Sequence, residues 1–238
     1  MRKFVAGVLI FYITFFCCFP MQAAAEENVV STKAYVLMEQ ESGTILEEQQ
    51  ADVPMPMGML AKLMTVLLAA EQLESGNWTM DTVLTASDSV NNCKGATVWL
   101  VSGETMTVSD LLKAVIIGNA NDAATVLAEG ISSSQDAFVM EMNARAFDLG
   151  MRQTVFTSPQ GYDDPKQLTT ARDMALLCRR LAEFTCLTSF FQTWRDFLRG
   201  EATELVNENT LSRTYEGHIG FKACHTEQSG WCLAEGAT

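Results

Sequence analysis

The pattern of apolar and polar residues predicts a β-hairpin near the start of the folded chain. A strand-like apolar run spans 34–38, a turn signal follows at 41–43, and a second short run spans 44–46. Pro54 and Pro56 then break the chain before a long apolar segment. The first two strands are therefore expected to precede the first helix.

Helical spacing of apolar residues dominates the middle of the chain. The clearest case runs from Leu60 to Leu73 and is followed by Gly76, which predicts a buried helix. Thr107 and Ser109 are alternative N-caps for the next helix. Further helices are predicted over 107–118, 122–129, 135–149 and 169–181.

Two strand-like runs joined by a turn come near the end of the chain, at 219–222 and 230–234. The order is therefore strands, then helices, then strands. This order predicts one α+β domain, with an antiparallel sheet drawn from both chain ends and a helical cluster between them. No long flexible linker interrupts the pattern, so a second domain is not expected.

The first 25 residues have the features of a signal peptide. Arg2 and Lys3 precede an apolar run over 4–19, and Ala23 and Ala25 form a small-residue cleavage pattern. The competing interpretation is an N-terminal membrane anchor, but the run is shorter than the ~20 residues that a spanning helix needs. Residues 26–238 are then the folded domain of a secreted protein without a transmembrane segment.

The charge of the chain limits its partners. The formal net charge is −13, and without Arg2 and Lys3 the balance is 14 basic against 29 acidic residues, a net charge of −15. Such a surface argues against nucleic acid and anionic lipid as partners. It does not identify a partner or an oligomeric state.

The cysteines do not form a recognisable framework. Five follow residue 25, at irregular spacing and without a C-x-x-C motif, which favours small buried thiols over a disulfide scaffold. The spacing of Cys224 and Cys232 is compatible with a bridge. Only two histidines occur, so neither a metal site nor a metal cofactor is predicted.

Four stretches, at 56–64, 103–124, 168–173 and 205–222, together resemble the low-molecular-mass penicillin-binding proteins, which are serine-type D-alanyl-D-alanine carboxypeptidases of peptidase family S11. The resemblance implies a β-lactamase/transpeptidase-like fold, location in the cell envelope, and binding of peptidoglycan stem peptides or β-lactams. It also implies one further strand after 230–234. The domain is therefore expected to be C-terminally shortened, with an open sheet edge and no second β domain.

The first family motif, Ser-x-x-Lys, is altered in this chain. Lys62 matches the lysine at the general-base position, but Met59 occupies the position of the acyl-ester serine. A thioether has no proton to lose and cannot form an acyl-oxygen ester. The nearest hydroxyl is that of Thr65, one turn beyond Lys62.

The second family motif is also altered. In Ser-x-Asn, Asn121 is kept but Asn119 replaces the serine, and an amide is a poor proton shuttle.

In the third motif, Lys-Thr-Gly, Lys222 is kept to attract a carboxylate. Ala223 loses the hydroxyl, and Cys224 is expected to crowd the substrate groove. Cys224 is a weak candidate for a replacement nucleophile, because its neighbour His225 is expected to face the other side of the strand.

Three hypotheses follow from these departures. The chain is a catalytically inactive protein that still binds D-Ala-D-Ala peptides. Alternatively, it is an active D-Ala-D-Ala carboxypeptidase that uses another nucleophile. In the third, it is a non-catalytic partner of an active relative, or a decayed gene product.

Overall fold

The computed structural model describes residues 32–238, so the predicted signal peptide lies outside the described residues. The helices are α1 Lys62–Glu74, α2 Val108–Ile116, α3 Asn121–Ile131, α4 Gln135–Asp148, α5 Ala171–Leu181, α6 Thr188–Gln192 and α7 Leu211–Thr214. The strands are β1 Tyr35–Met38, β2 Ile45–Gln49, β3 Met55–Pro56, β4 Val83–Thr85, β5 Thr105–Thr107, β6 Leu168–Thr169, β7 Arg195–Leu198, β8 Thr203–Val206, β9 His218–Thr226 and β10 Gly230–Ala237. In the described part of the chain, no helix is long and apolar enough to cross a membrane.

The two predicted hairpins are present. β1 pairs antiparallel with β2, with an irregularity in register between Leu37 and Met38. β9 pairs antiparallel with β10, and both strands are longer than the apolar runs that predicted them. Polar residues extend these strands because backbone pairing continues beyond the apolar positions.

The α+β fold class is confirmed, but one detail of the sheet is wrong. Within the described residues, each sheet consists of two antiparallel strands. Among these residues, no backbone hydrogen-bond ladder joins the β1–β2 hairpin to the β9–β10 hairpin. Both chain ends meet α5 instead, which packs against β1 and β10. The apolar pattern identifies strands that bury a face, but it does not specify which edges pair.

The centre of the molecule is α1, which is buried from Lys62 to Ala70. The helix does not begin at Leu60 as the spacing predicted. A 3₁₀ turn at Gly58–Ala61 precedes it, and α1 starts at Lys62. The third helix likewise begins at Asn121, one residue before its predicted start.

Side-chain caps fix the starts of α2, α4 and α5, whereas α3 follows Ala120 and has no side-chain cap. Of the two candidate caps for α2, Thr107 is the one observed, and its hydroxyl accepts a hydrogen bond from the Asp110 amide at 3.1 Å. Ser134 caps α4 and Thr170 caps α5 in the same way. These caps satisfy amide groups that have no partner inside the helix.

Candidate active site

Met59 lies on the 3₁₀ turn that leads into α1, and its side chain is half-buried. A loop packs closely beneath this turn. A Cβ atom on Gly161 would lie 2.6 Å from the Gly58 carbonyl oxygen and 2.8 Å from the Met59 Cα atom. Gly161 also has a φ of +79°, which favours glycine. The position of Met59 therefore depends on glycine at position 161, because a side chain there would clash with the turn that carries Met59.

Asn119 contacts Met59 directly. Its Nδ2 atom lies 3.1 Å from the Met59 Sδ atom and 3.3 Å from Oε1 of Glu208. Asn119 has a φ of 56°, a left-handed conformation that asparagine tolerates better than most residues. The structure thus brings together the two residues that are predicted to replace the serines of the first two family motifs.

Lys62 is fully buried at the start of α1. Its Nζ atom donates a hydrogen bond to the Gln160 carbonyl oxygen at 2.8 Å. No carboxylate of residues 32–238 forms an ion pair with it. Burial, together with the nearby charge of Lys222, lowers the pKa of Lys62 well below its ordinary value. The side chain is therefore shifted towards a neutral amine.

Lys222 lies on β9 and is 4% exposed. Its Nζ atom lies 3.3 Å from the Val115 carbonyl oxygen. Burial lowers the pKa of Lys222, and the Glu208 carboxylate opposes that shift. In the described part of the chain, Lys222 also lacks an ion-pair partner.

Asn121 begins α3, and its Nδ2 atom donates to the Lys94 carbonyl oxygen at 2.5 Å. The Oδ1 atoms of Asn121 and Asn119 are buried and have no hydrogen-bond partner among the described residues. Such atoms are uncommon in folded proteins, because an unpaired buried acceptor costs about 1–3 kcal/mol. We call Met59, Lys62, Asn119, Asn121 and Lys222 the motif site.

Cys224 is the third residue of the altered Lys-Thr-Gly motif, and its crowding of the substrate groove stays a prediction. Its side chain is 0% exposed and belongs to the hydrophobic core, on the same face of β9 as Lys222. Ala223 faces the other side, where it is opposite Leu233.

His225 faces away from Cys224, as predicted, because adjacent strand residues alternate in direction. Its ring lies 4.9 Å from the ring of Trp231, and His225 itself is exposed. The interaction with Cys232 and burial both raise the pKa of the Cys224 thiol. Cys224 therefore lacks the histidine partner and the exposure that a replacement nucleophile needs.

Two residues of the site were not singled out from the sequence. Glu208 accepts a hydrogen bond from Asn119, and its charge favours the protonated forms of both Lys62 and Lys222. Gln160 supplies the carbonyl oxygen that accepts from Lys62. Glu208 lies within the stretch 205–222 that carried the family resemblance, whereas a backbone acceptor leaves no signal in a sequence.

A separate open cavity of about 610 Å³ lies between the β4 region and the α3–α4 connection, and it is lined by residues such as Thr85, Ser87, Glu129 and Gln135. It contains no residue of the motif site. Among residues 32–238, no group of three or more His, Cys, Asp or Glu side chains is placed to hold a metal ion.

Comparison with known proteins gives consistent matches. A model of the D-alanyl-D-alanine carboxypeptidase family, peptidase family S11, matches residues 21–238. The D-alanyl-D-alanine carboxypeptidase DacF of Bacillus subtilis is 33% identical over 208 residues, which cover 86% of this chain and 54% of DacF. DacC of Escherichia coli, also a D-alanyl-D-alanine carboxypeptidase, is 33% identical over 245 residues, which cover 100% of this chain and 61% of DacC.

The solved structures agree with the sequence matches. Penicillin binding protein 5 from Haemophilus influenzae has a TM-score of 0.81 and 30% identity, over 87% of this chain and 61% of that protein. The chain therefore shares the penicillin-binding-protein fold. It spans between half and two thirds of the length of these curated relatives.

Proposed function

Because the chain belongs to the D-alanyl-D-alanine carboxypeptidase family, we propose that it is a catalytically inactive member that binds the D-Ala-D-Ala end of peptidoglycan stem peptides. The observation that carries this proposal is Met59, which occupies the nucleophile position and contacts Asn119 at 3.1 Å. In a serine hydrolase, loss of the nucleophile lowers turnover on the order of 10⁶-fold, or about 8 kcal/mol of barrier. The loss at Asn119 adds little to this, because groups that act as a unit are not additive.

The neighbouring hydroxyl and thiol groups do not replace the missing serine. Thr65 is fully buried, and its hydroxyl donates to the Pro159 carbonyl oxygen at 2.8 Å. The Cys224 thiol is buried, and its pKa is raised. This argues against the alternative of an active carboxypeptidase with another nucleophile.

The retained polar groups support ligand binding. Lys62 and Lys222 are buried amines without an ion-pair partner in the described chain, and an incoming carboxylate would supply one. The unpaired Oδ1 atoms of Asn119 and Asn121 are acceptors for a peptide N–H. A peptide with a free C-terminus offers both a carboxylate and a peptide N–H. A β-lactam that carries a carboxylate offers the carboxylate.

The proposal includes a location. The signal-peptide pattern and the family both favour a secreted protein of the cell envelope, where stem peptides are found. The net charge of −13 makes nucleic acid an improbable ligand. No cofactor is needed for binding.

Acylation is tested with a fluorescent penicillin. The wild-type protein is expected to remain unlabelled after denaturing electrophoresis, because Met59 cannot form an acyl ester. Met59→Ser restores a hydroxyl beside Lys62 and is expected to gain covalent label, whereas Met59→Ala, which shortens the side chain without adding a hydroxyl, is expected to stay unlabelled. Labelling of the wild-type protein would overturn the inactivity and favour the alternative nucleophile.

Binding is tested by calorimetry with a D-Ala-D-Ala peptide and, as a control ligand, its L-Ala-L-Ala counterpart. The wild-type protein is expected to bind the D,D peptide with at least tenfold preference. Lys222→Met keeps the length of the side chain without its charge and is expected to weaken binding at least tenfold. Lys166→Met at an exposed position is the matched control. No binding at millimolar D,D peptide by a folded wild-type protein would refute the proposal.

A further inference from the structure

Cys224 and Cys232 are direct partners across the β9–β10 hairpin. Residues directly opposite in an antiparallel pair point to the same face, with Cα atoms about 4.5 or about 5.5 Å apart. Both separations lie within the range found for disulfides. The interaction between the two thiols raises the pKa of Cys224 and lowers the pKa of Cys232.

We propose that Cys224 and Cys232 form a redox-active dithiol that closes reversibly into a cross-strand disulfide. This inference is independent of the proposed function, since it needs neither ligand binding nor catalysis. The pairing is specific. The other cysteines of the described chain lie on other elements: Cys93 beside Thr125, Cys178 on α5 and Cys186 in the 3₁₀ turn before α6.

The two sulfurs have different environments, which gives them different roles. Cys232 is half-buried, while Cys224 is fully buried. The interaction with the Cys224 thiol lowers the pKa of Cys232 to about 7. Burial, by contrast, raises the pKa of the Cys178 thiol to about 12. Cys232 is therefore the more reactive thiol of the pair, and Cys224 is the resolving thiol.

The oxidant is a low-molecular-mass disulfide. The Cys232 thiolate attacks one sulfur of that disulfide, the S–S bond breaks, and a mixed disulfide and one small thiolate result. The Cys224 thiol then gives its proton to the released small thiolate, and its sulfur attacks the Cys232 sulfur. This second step forms the protein disulfide and expels the other small thiol as its thiolate. Two protein sulfurs are oxidised and one small disulfide is reduced to two small thiols.

In the second step, the interaction with Cys232 and burial hold the pKa of Cys224 above its ordinary value. Lys222 and Lys62, in their protonated forms, oppose that rise and favour the Cys224 thiolate. The bridge would fix the two strands to each other two residues from Lys222. Oxidation would therefore stiffen the strand that carries one amine of the motif site.

The test equilibrates the full chain with oxidised glutathione, blocks the remaining thiols with N-ethylmaleimide, and maps the peptides by mass spectrometry. The expected product is a peptide pair linked through Cys224 and Cys232 that dithiothreitol separates. Recovery of both cysteines as maleimide adducts, or of bridges from either one to Cys93, Cys178 or Cys186, would overturn the proposal.

Single variants separate the two roles. Cys224→Ser lacks the resolving thiol and is expected to accumulate a glutathione mixed disulfide at Cys232. Cys232→Ser lacks the attacking thiol, and its remaining Cys224 is expected to react at least tenfold more slowly. Cys186→Ser is the matched control and is expected to form the bridge as the wild type does. Equal reactivity of Cys224 and Cys232 in these folded variants, checked by circular dichroism, would contradict the assigned roles.

Discussion

At the scale of single residues, the two substituted motif positions form a contact of their own. The Asn119 amide donates to the Met59 thioether, a weak acceptor, and also to Glu208. The two residues predicted to replace motif serines, Asn119 and Met59, therefore contact each other through a weak hydrogen bond. This contact explains how the fold tolerates both residues. The Oδ1 atom of Asn119 is buried and has no hydrogen-bond partner among the described residues, so the hydrogen bonding of this side chain is incomplete.

Lys62 gives a prediction about pH. Its folded-state pKa is lowered below the ordinary value of 10.5, so unfolding takes up a proton in the range between the two values. The free energy of unfolding is therefore expected to rise with pH through this window, by up to about 1.4 kcal/mol per pH unit from this group. Denaturant titrations between about pH 7 and 9, below the ordinary pKa of lysine, measure the slope.

The variant Lys62→Met is expected to have a smaller slope than the wild type over the same range, because it removes the titrating amine. Lys222 and Cys232 have lowered pKa values and contribute in the same direction, so some slope remains. Lys166→Met, at an exposed position, is the matched control for the loss of a lysine. An unchanged slope in Lys62→Met would show that Lys62 is not the group responsible.

At the scale of elements, the 3₁₀ turn before α1 depends on its close contact with Gly161. Gly161→Ala places a methyl group within 3 Å of two backbone atoms of the turn. Gly103→Ala is a matched control, because Gly103 also has a positive φ (+82°) but has no atom within 4 Å of the added Cβ. Both variants bear the cost of a left-handed alanine, about 1–2 kcal/mol.

The expected difference between the two variants is the cost of overpacking. Gly161→Ala is predicted to lose about 1–3 kcal/mol more stability than Gly103→Ala. Equilibrium denaturation measures both values. Equal losses would mean that the loop moves away from the turn at little cost and that it does not fix the position of Met59.

A second element-scale contact holds the loop that precedes β5. Asp122 is buried, and its carboxylate accepts hydrogen bonds from the Val98 and Leu100 amides. Trp99 lies between these anchored residues with a φ of 55° and is 76% exposed. The start of α3 thus fixes the loop and the Asn121 side chain together.

At the scale of the whole molecule, one hydrophobic core joins the helices to the terminal hairpin. It includes residues of α1 to α5 and also Phe221, Cys224 and Ala234 of β9 and β10. A chain with such a continuous core is expected to unfold in one cooperative transition. Calorimetry of the reduced protein should therefore give a van't Hoff enthalpy equal to the calorimetric enthalpy.

This measurement also tests the hypothesis of a decayed gene product. A broad transition without a cooperative heat signal would favour decay, because it would mean that the core is not uniquely packed. Circular dichroism in the near and far ultraviolet is a useful companion measurement. Coincident loss of both signals is expected for the folded protein.

The sequence was a good guide to elements with strong apolar periodicity and to the residues of the motifs. The helices α1 to α5 and both terminal hairpins lie close to their predicted positions. The short pairs β3–β6, β4–β5 and β7–β8 were missed, because two to four residues carry too little periodic signal. The single sheet from both chain ends was also wrong, since strand pairing depends on edges that are distant in sequence.

The sequence by itself determined the family and the fold class and predicted that Met59 occupies the acyl-ester serine position, because these follow from which residues are present and in what order. The tertiary structure decided which groups meet. It placed Asn119 against Met59, buried Lys62 and Lys222 without a carboxylate partner within the described chain, and set Cys224 opposite Cys232. These contacts depend on burial depth and strand register, which arise only when segments distant in the chain pack together.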